Sequence, residues 1–127
     1  KMITENWAKS SDSIVEIYPS SSRIHKRKNE SFVSAYPLRS PDGKWSVMLI
    51  NKDPKRTFNV DVDVENKVSK EISELHFEKL IQYSKQQYHW MDKGFDSYPS
   101  RNFPPVSKRI NGSKNILLPP YSLTIIN

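Results

Sequence analysis

The chain has no cysteine, only three glycines among 127 residues, and no long apolar run. Without cysteine there is no disulfide framework, no thiolate metal site and no cysteine nucleophile; the redox compartment stays open. Three glycines cannot furnish a glycine-rich phosphate cradle, and no G-x-S-x-G elbow is present to carry a serine nucleophile. No apolar stretch approaches the roughly 20 residues a membrane-crossing helix needs, so no membrane partner is expected. No apolar segment of the signal-peptide type follows Lys1-Met2-Ile3-Thr4-Glu5-Asn6. Helical periodicity is nearly absent as well.

What is present is enough for a core. Hydrophobic residues make up 35% and aromatics 11%, which excludes a disordered tail. The length suits one domain. The chain opens and closes abruptly, with Asn127 one residue past an apolar strand, and is expected to be a single domain excised from a larger protein. Twenty Lys and Arg against 14 Asp and Glu leave a net charge of +6. The acids are interleaved with the bases, so the surface reads as mixed and solvated rather than as one cationic face.

The patterning is that of strands. In Phe58-Asn59-Val60-Asp61-Val62-Asp63-Val64-Glu65 apolar and polar residues alternate strictly. Phe58, Val60, Val62 and Val64 therefore share one face and the acids the other. Trp45-Ser46-Val47-Met48-Leu49-Ile50 is nearly continuous and reads as a central strand covered on both sides. Phe32-Val33-Ser34-Ala35-Tyr36-Pro37-Leu38 joins it through Ser40-Pro41-Asp42-Gly43, a good type I turn. Pro37 cannot donate to a ladder, so it belongs at an edge or a bulge. Further strands are expected over residues 14–18, 72–83, 87–91, 115–118 and 121–126, with a short helix as the alternative over 71–82. Together these predict an all-β fold, an antiparallel β-sandwich of about eight strands. Residues 92–113 read as a long loop, functional or packed on the body as an Ω-loop.

Few constellations carry chemistry. Most acids sit in turns or on the wet side of a strand, where nothing raises a carboxyl pKa, so no catalytic carboxylate pair is expected. The row Asp61, Asp63, Glu65 lies along a flat strand, unlike the curled loop a calcium ion needs. His25, His76 and His89 show no metal-ligand spacing, and neither metal nor cofactor is expected. The basic run Arg23, His25, Lys26, Arg27, Lys28 reads as a solvated hairpin tip rather than a phosphate-binding surface, so no nucleic-acid partner is expected from it. Asn29-Glu30-Ser31 and Asn111-Gly112-Ser113 fit the N-glycosylation pattern, which is common by chance. Aromatics concentrate late: Tyr83, Tyr88, Trp90, Phe95, Tyr98 and Phe103. Their faces suit stacking on sugar rings, or else they pin the long loop to the sandwich. The candidate carbohydrate-binding residues are Trp90, Tyr88 and Tyr98 as stacking rings, with Asp92 and Asn102 as hydrogen-bonding partners.

Two stretches carry a resemblance. The segment from Pro41 to Asp53, with Leu49-Ile50-Asn51-Lys52 at its heart, and Leu118-Pro119-Pro120-Tyr121-Ser122 before a β-branched run resemble parts of the C-terminal β-sandwich of glycoside hydrolases in the (β/α)8 superfamily of arabinofuranosidases and xylosidases. Gln87-Tyr88-His89-Trp90 and the prolines Pro99, Pro104 and Pro105 are similar to that setting too. The resemblance implies a noncatalytic accessory domain of a secreted, extracellular polysaccharide-degrading enzyme, stabilising the catalytic barrel, binding glycan, or both. Its partners would be the catalytic (β/α)8 barrel in cis and a plant or microbial polysaccharide. The barrel's catalytic residues are absent, so none is carried over. Two other classes stand beside this one: a stand-alone immunoglobulin-like protein-interaction module, and a nucleic-acid-binding β domain.

Overall fold

The computed structural model describes residues 1–8, 16–22, 25–27 and 30–127, with residues 4, 16–17, 25–27 and 30 described by their backbone alone. Along the chain run α1 (Met2–Asn6), β1 (Glu16–Ile17), β2 (His25–Arg27), β3 (Glu30–Ser31), β4 (Val33–Arg39), β5 (Trp45–Asn51), β6 (Phe58–Val60), β7 (Asp63–Glu65), β8 (Ile72–Glu74), β9 (Lys79–Tyr83), β10 (Tyr88–Met91), β11 (Tyr98–Asn102), β12 (Val106–Arg109), β13 (Ile116–Leu118) and β14 (Ser122–Ile126). The fold is all-β, as the alternation predicts, but built from more and shorter strands than the eight expected.

The main sheet has six strands in the order β1-β4-β5-β14-β9-β12, and every pairing is antiparallel. The pairs Leu49 with Thr124 and Val47 with Ile126, and Ile126 with Leu80, set these side chains on one face. That face packs on a smaller layer, the β6–β13 ribbon, continued by the β7–β8 pair. Val33, Val47, Leu49, Leu80 and Ile126 from the sheet meet Ile116, Leu118 and Phe77 in one buried cluster, with Phe58, Val60 and Val62 against it. This is a two-layer sandwich, and each buried aliphatic side chain contributes about 1.5–3 kcal/mol to it.

The layers are also joined by side chains reaching backbone. The Gln82 amide donates to the Leu117 carbonyl and to Thr124 Oγ1, both at 2.9 Å. Asn51 does the same for Leu118 and Pro119. Carbonyls at the end of β13 and at Pro119 thus find donors in the facing sheet, which is why polar side chains can line that part of the interior. On the sheet's other face Ile125 and Ile81 are buried but Met48 and Ile50 of β5 are only half-buried, so β5 is covered on the core side and partly covered on the other. On the N-terminal side, Trp7 Nε1 donates to the Tyr36 carbonyl at 2.8 Å, and Asn127 Nδ2 to the Asn6 carbonyl at 2.8 Å. These bonds fasten α1 to the sheet.

Particular expectations fare differently. Tyr18 donates its N–H to the Pro37 carbonyl. A strand residue points its N and O the same way, so the missing donor of Pro37 faces β1, the two-residue strand at the sheet's edge. Residues 71–82 are strand, not helix, but interrupted: Phe77 between β8 and β9 turns inward and is fully buried. The alternating segment 58–65 is broken at Asp61 and Val62, where Val62 N–H bonds the Ser113 carbonyl and Asp61 Oδ1 accepts from Asn115 N–H, each at 2.9 Å. The expected strand over 14–18 is described only from residue 16.

Candidate functional site

The expectation of a long loop over 92–113 is overturned. Residues 98–102 and 106–109 are strands, and β10 pairs with β11 in a hairpin closed by a 3-10 turn at Gly94–Asp96. β12 then returns beside β9. The two ladders form one arm with an elbow at residues 84–87. Ser84 and Gln87 are buried at that elbow. Ser84 donates both its N–H and its hydroxyl to Gln87 Oε1, at 2.9 and 3.1 Å, and Phe103 N–H bonds the Gln87 carbonyl at 2.8 Å. These buried bonds fix the turn through which β9 passes into β10.

Beyond the elbow the arm is open on both sides. Trp90 is 50% exposed, Tyr98 45%, Tyr88 38%, and Phe95 at the tip is completely exposed. Of these rings, Tyr88, Trp90 and Tyr98 are half-exposed on the hairpin strands and Phe95 is bare at its tip, so none is buried in the sandwich core.

The register sorts the candidate residues. Tyr88 pairs with Asn102 and His89 with Arg101, after which the register shifts and Trp90 pairs with Pro99 and Met91 with Tyr98. Ser100 is the extra residue of a β-bulge, and its hydroxyl lies 2.7 Å from His89 Nδ1. Paired residues share a face, and a bulge resets the alternation on its own strand. Tyr88, Trp90, Pro99 and Asn102 therefore form one face, without a charged side chain. His89, Met91, Arg101 and Tyr98 form the other, where Lys93 Nζ lies 5.7 Å from the Tyr98 ring. The five candidates do not form one cluster: Tyr98 is on the opposite side from Trp90 and Tyr88. Asp92 lies at the tip, where Oδ1 accepts from Gly94 N–H at 3.2 Å and Ser97 Oγ at 3.1 Å and shapes the turn. Asn102 Oδ1 accepts from the Tyr83 hydroxyl at 3.3 Å, leaving its amide N–H groups outward. Chemically, this face offers two aromatic faces, a proline ring and an amide donor, all uncharged.

The titratable groups are occupied elsewhere. Asp53 is the one buried carboxylate among the described residues. It accepts from the backbone N–H groups of Lys55 and Arg56 and pairs with Arg56 Nε at 2.7 Å. These bonds lower its pKa to about 2, the opposite of what a general acid requires. Arg56 also lies over the Phe32 ring at 4.2 Å. The acidic row is met by Lys114, whose ammonium pairs with Glu74 and is held charged by it, with Asp61 and Asp63 adding to the effect. No three potential metal ligands converge among the described residues. His76 Nε2 lies 3.8 Å from Glu78 Oε1, and His89 is on the arm. In the basic run, β2 and β3 pair through His25 with Ser31 and Arg27 with Glu30; Arg23, Lys28 and Asn29 lie outside the described residues.

Comparison of the chain with protein-family models, with curated proteins and with solved structures finds no match.

Proposed function

We propose that this chain is a noncatalytic accessory β-sandwich of a secreted polysaccharide-degrading enzyme, and that it binds glycan on the Tyr88–Trp90 face of its arm. The observation that carries the glycan reading is the pairing register, which puts Tyr88 and Trp90 two residues apart on one strand, on an uncharged and solvent-open face. Strand residues i and i+2 stand roughly 6–7 Å apart on the same side, so two sugar rings can lie on two side chains in sequence. Asn102, opposite Tyr88, supplies an amide donor for a sugar hydroxyl. The accessory role, the catalytic barrel in cis and the extracellular location rest on the resemblance of Leu49-Ile50-Asn51-Lys52 and Leu118-Pro119-Pro120-Tyr121-Ser122 to sandwich segments of such enzymes.

Retardation of the domain in affinity gels containing soluble xylan or β-glucan tests this. Binding is weak, because an open face buries little area. It is nearly independent of salt, because stacking on a neutral sugar releases no counterions. Trp90→Ala abolishes the retardation with the fold intact, whereas Tyr98→Ala leaves it nearly unchanged. Equal losses in the two variants, or no retardation of the parent protein, would overturn the glycan site.

A protein-interaction module is the second reading. Phe95 favours it: a fully exposed ring at the tip of a hairpin suits insertion into a partner's pocket. Under that reading Phe95→Ala abolishes capture of the partner and Trp90→Ala does not.

A further inference from the structure

The edge of the main sheet carries a feature the arm does not use. β12 is an outermost strand, and Arg109 pairs directly with Lys79 on β9. Cross-strand partners have Cβ atoms about 4.5–5.5 Å apart, and like charges so placed repel. Ser107 pairs with Ile81 and lies on the same face as Arg109, one alternation along. These residues border a shallow, open depression of about 730 Å³, together with Lys108, Glu78 and Ile110. Three cations thus meet one carboxylate, and Glu78 is the one with a neighbour of its own in His76. Lys79 Nζ lies 3.4 Å from the neutral Asn6 Oδ1. Arg109 and Lys108 have no ion-pair partner among the described residues.

We propose that Lys79, Arg109 and Ser107 form a binding site for an oxyanion, a carboxylate or a sulfate. An oxyanion between the two cations converts their repulsion into two charge-assisted hydrogen bonds. The guanidinium presents the bidentate fork that carboxylate and sulfate accept, the ammonium a point charge, and the serine a hydroxyl donor. The depression is open enough for the anion to be a substituent on a larger molecule. The proposal uses different residues from the glycan face and stands without it.

The test is an NMR titration of the whole chain at pH 7 and constant ionic strength, with sodium sulfate in one series and sodium glucuronate in another, each replacing chloride. Saturable shifts are expected at the amides of Lys79 and residues 107–110. Arg109→Gln weakens binding at least fivefold. Lys44→Gln, an equal charge change in the β4–β5 turn three strands away, leaves it unchanged. Tighter binding of glucuronate than of sulfate assigns the site to an acidic sugar, and the reverse order assigns it to a sulfate-like ester. Shifts that rise linearly without saturating, or equal weakening in Arg109→Gln and Lys44→Gln, would show only diffuse attraction to a cationic surface and overturn the site.

Discussion

Asn51 and Leu118 stand 67 residues apart in the chain, and the Asn51 amide nitrogen donates to the Leu118 carbonyl at 3.0 Å inside the domain. The same nitrogen reaches the Pro119 carbonyl at 2.8 Å and the Arg56 carbonyl at 2.9 Å, while its oxygen accepts from Asp53 N–H. Tyr121 N–H in turn bonds the Asp53 carbonyl at 3.0 Å. The segments Ile50-Asn51-Lys52-Asp53 and Leu118-Pro119-Pro120-Tyr121, which look unrelated along the chain, are therefore two halves of one corner.

Replacing Asn51 by Ala removes a donor whose two hydrogens are shared among three carbonyls, of which that of Leu118 is buried and those of Arg56 and Pro119 are part-buried. A buried unsatisfied group costs about 1–3 kcal/mol, so Asn51→Ala is expected to lower stability by about that much. Urea unfolding followed by tryptophan fluorescence measures it. A loss below about 1 kcal/mol means that water replaces the amide and the corner is not closed.

Asp53 governs part of the acid limb. Its folded pKa, about 2, lies below its ordinary value of 3.8, so the unfolded chain binds its proton first. Its contribution to stability is therefore present above pH 3.8 and is lost as the pH falls through about 2. Asp53→Asn should be less stable than the parent at pH 6 and should lose less on acidification from pH 4 to pH 2. Parallel acid curves for the two proteins would contradict the assignment.

Val62 packs against the core while Asp61 is exposed but bonded to Asn115 N–H. Val62→Asp sets a carboxylate against apolar side chains and should cost several kcal/mol. Asp61→Val loses one exposed bond and should cost about 1 kcal/mol. Chemical denaturation midpoints that coincide for the two would mean the face assignment is wrong.

Two phenylalanines mark the extremes of burial. Phe77→Ala empties a fully buried site and should cost about 3–5 kcal/mol. Phe95→Ala, at the tip of the arm, should stay within about 0.5 kcal/mol of the parent. Thermal unfolding separates them; a large loss from Phe95→Ala would place that ring in a packed interior.

Local pattern determined the strands at residues 33–39, 45–51, 58–60 and 122–126 and which of their faces are wet, but it read β11 and β12 as loop. The alternation from Phe58 to Val64 put Phe58, Val60 and Val62 inward, and the apolar run from Trp45 to Ile50 announced a central strand, because side-chain direction in a strand follows from position parity. The aromatic content of the arm was legible in the same way. Its arrangement was not. Whether Tyr98 shares a face with Trp90 depends on Ser100 being left unpaired, and a bulge is a property of two strands in register, invisible in either strand alone. Phe77 gave no signal either, since it lies between strands where no period applies. The Asn51 corner and the Lys79–Arg109 pair required the tertiary structure for a related reason: a hydrogen bond or a repulsion between distant residues exists only once the backbone has brought them together.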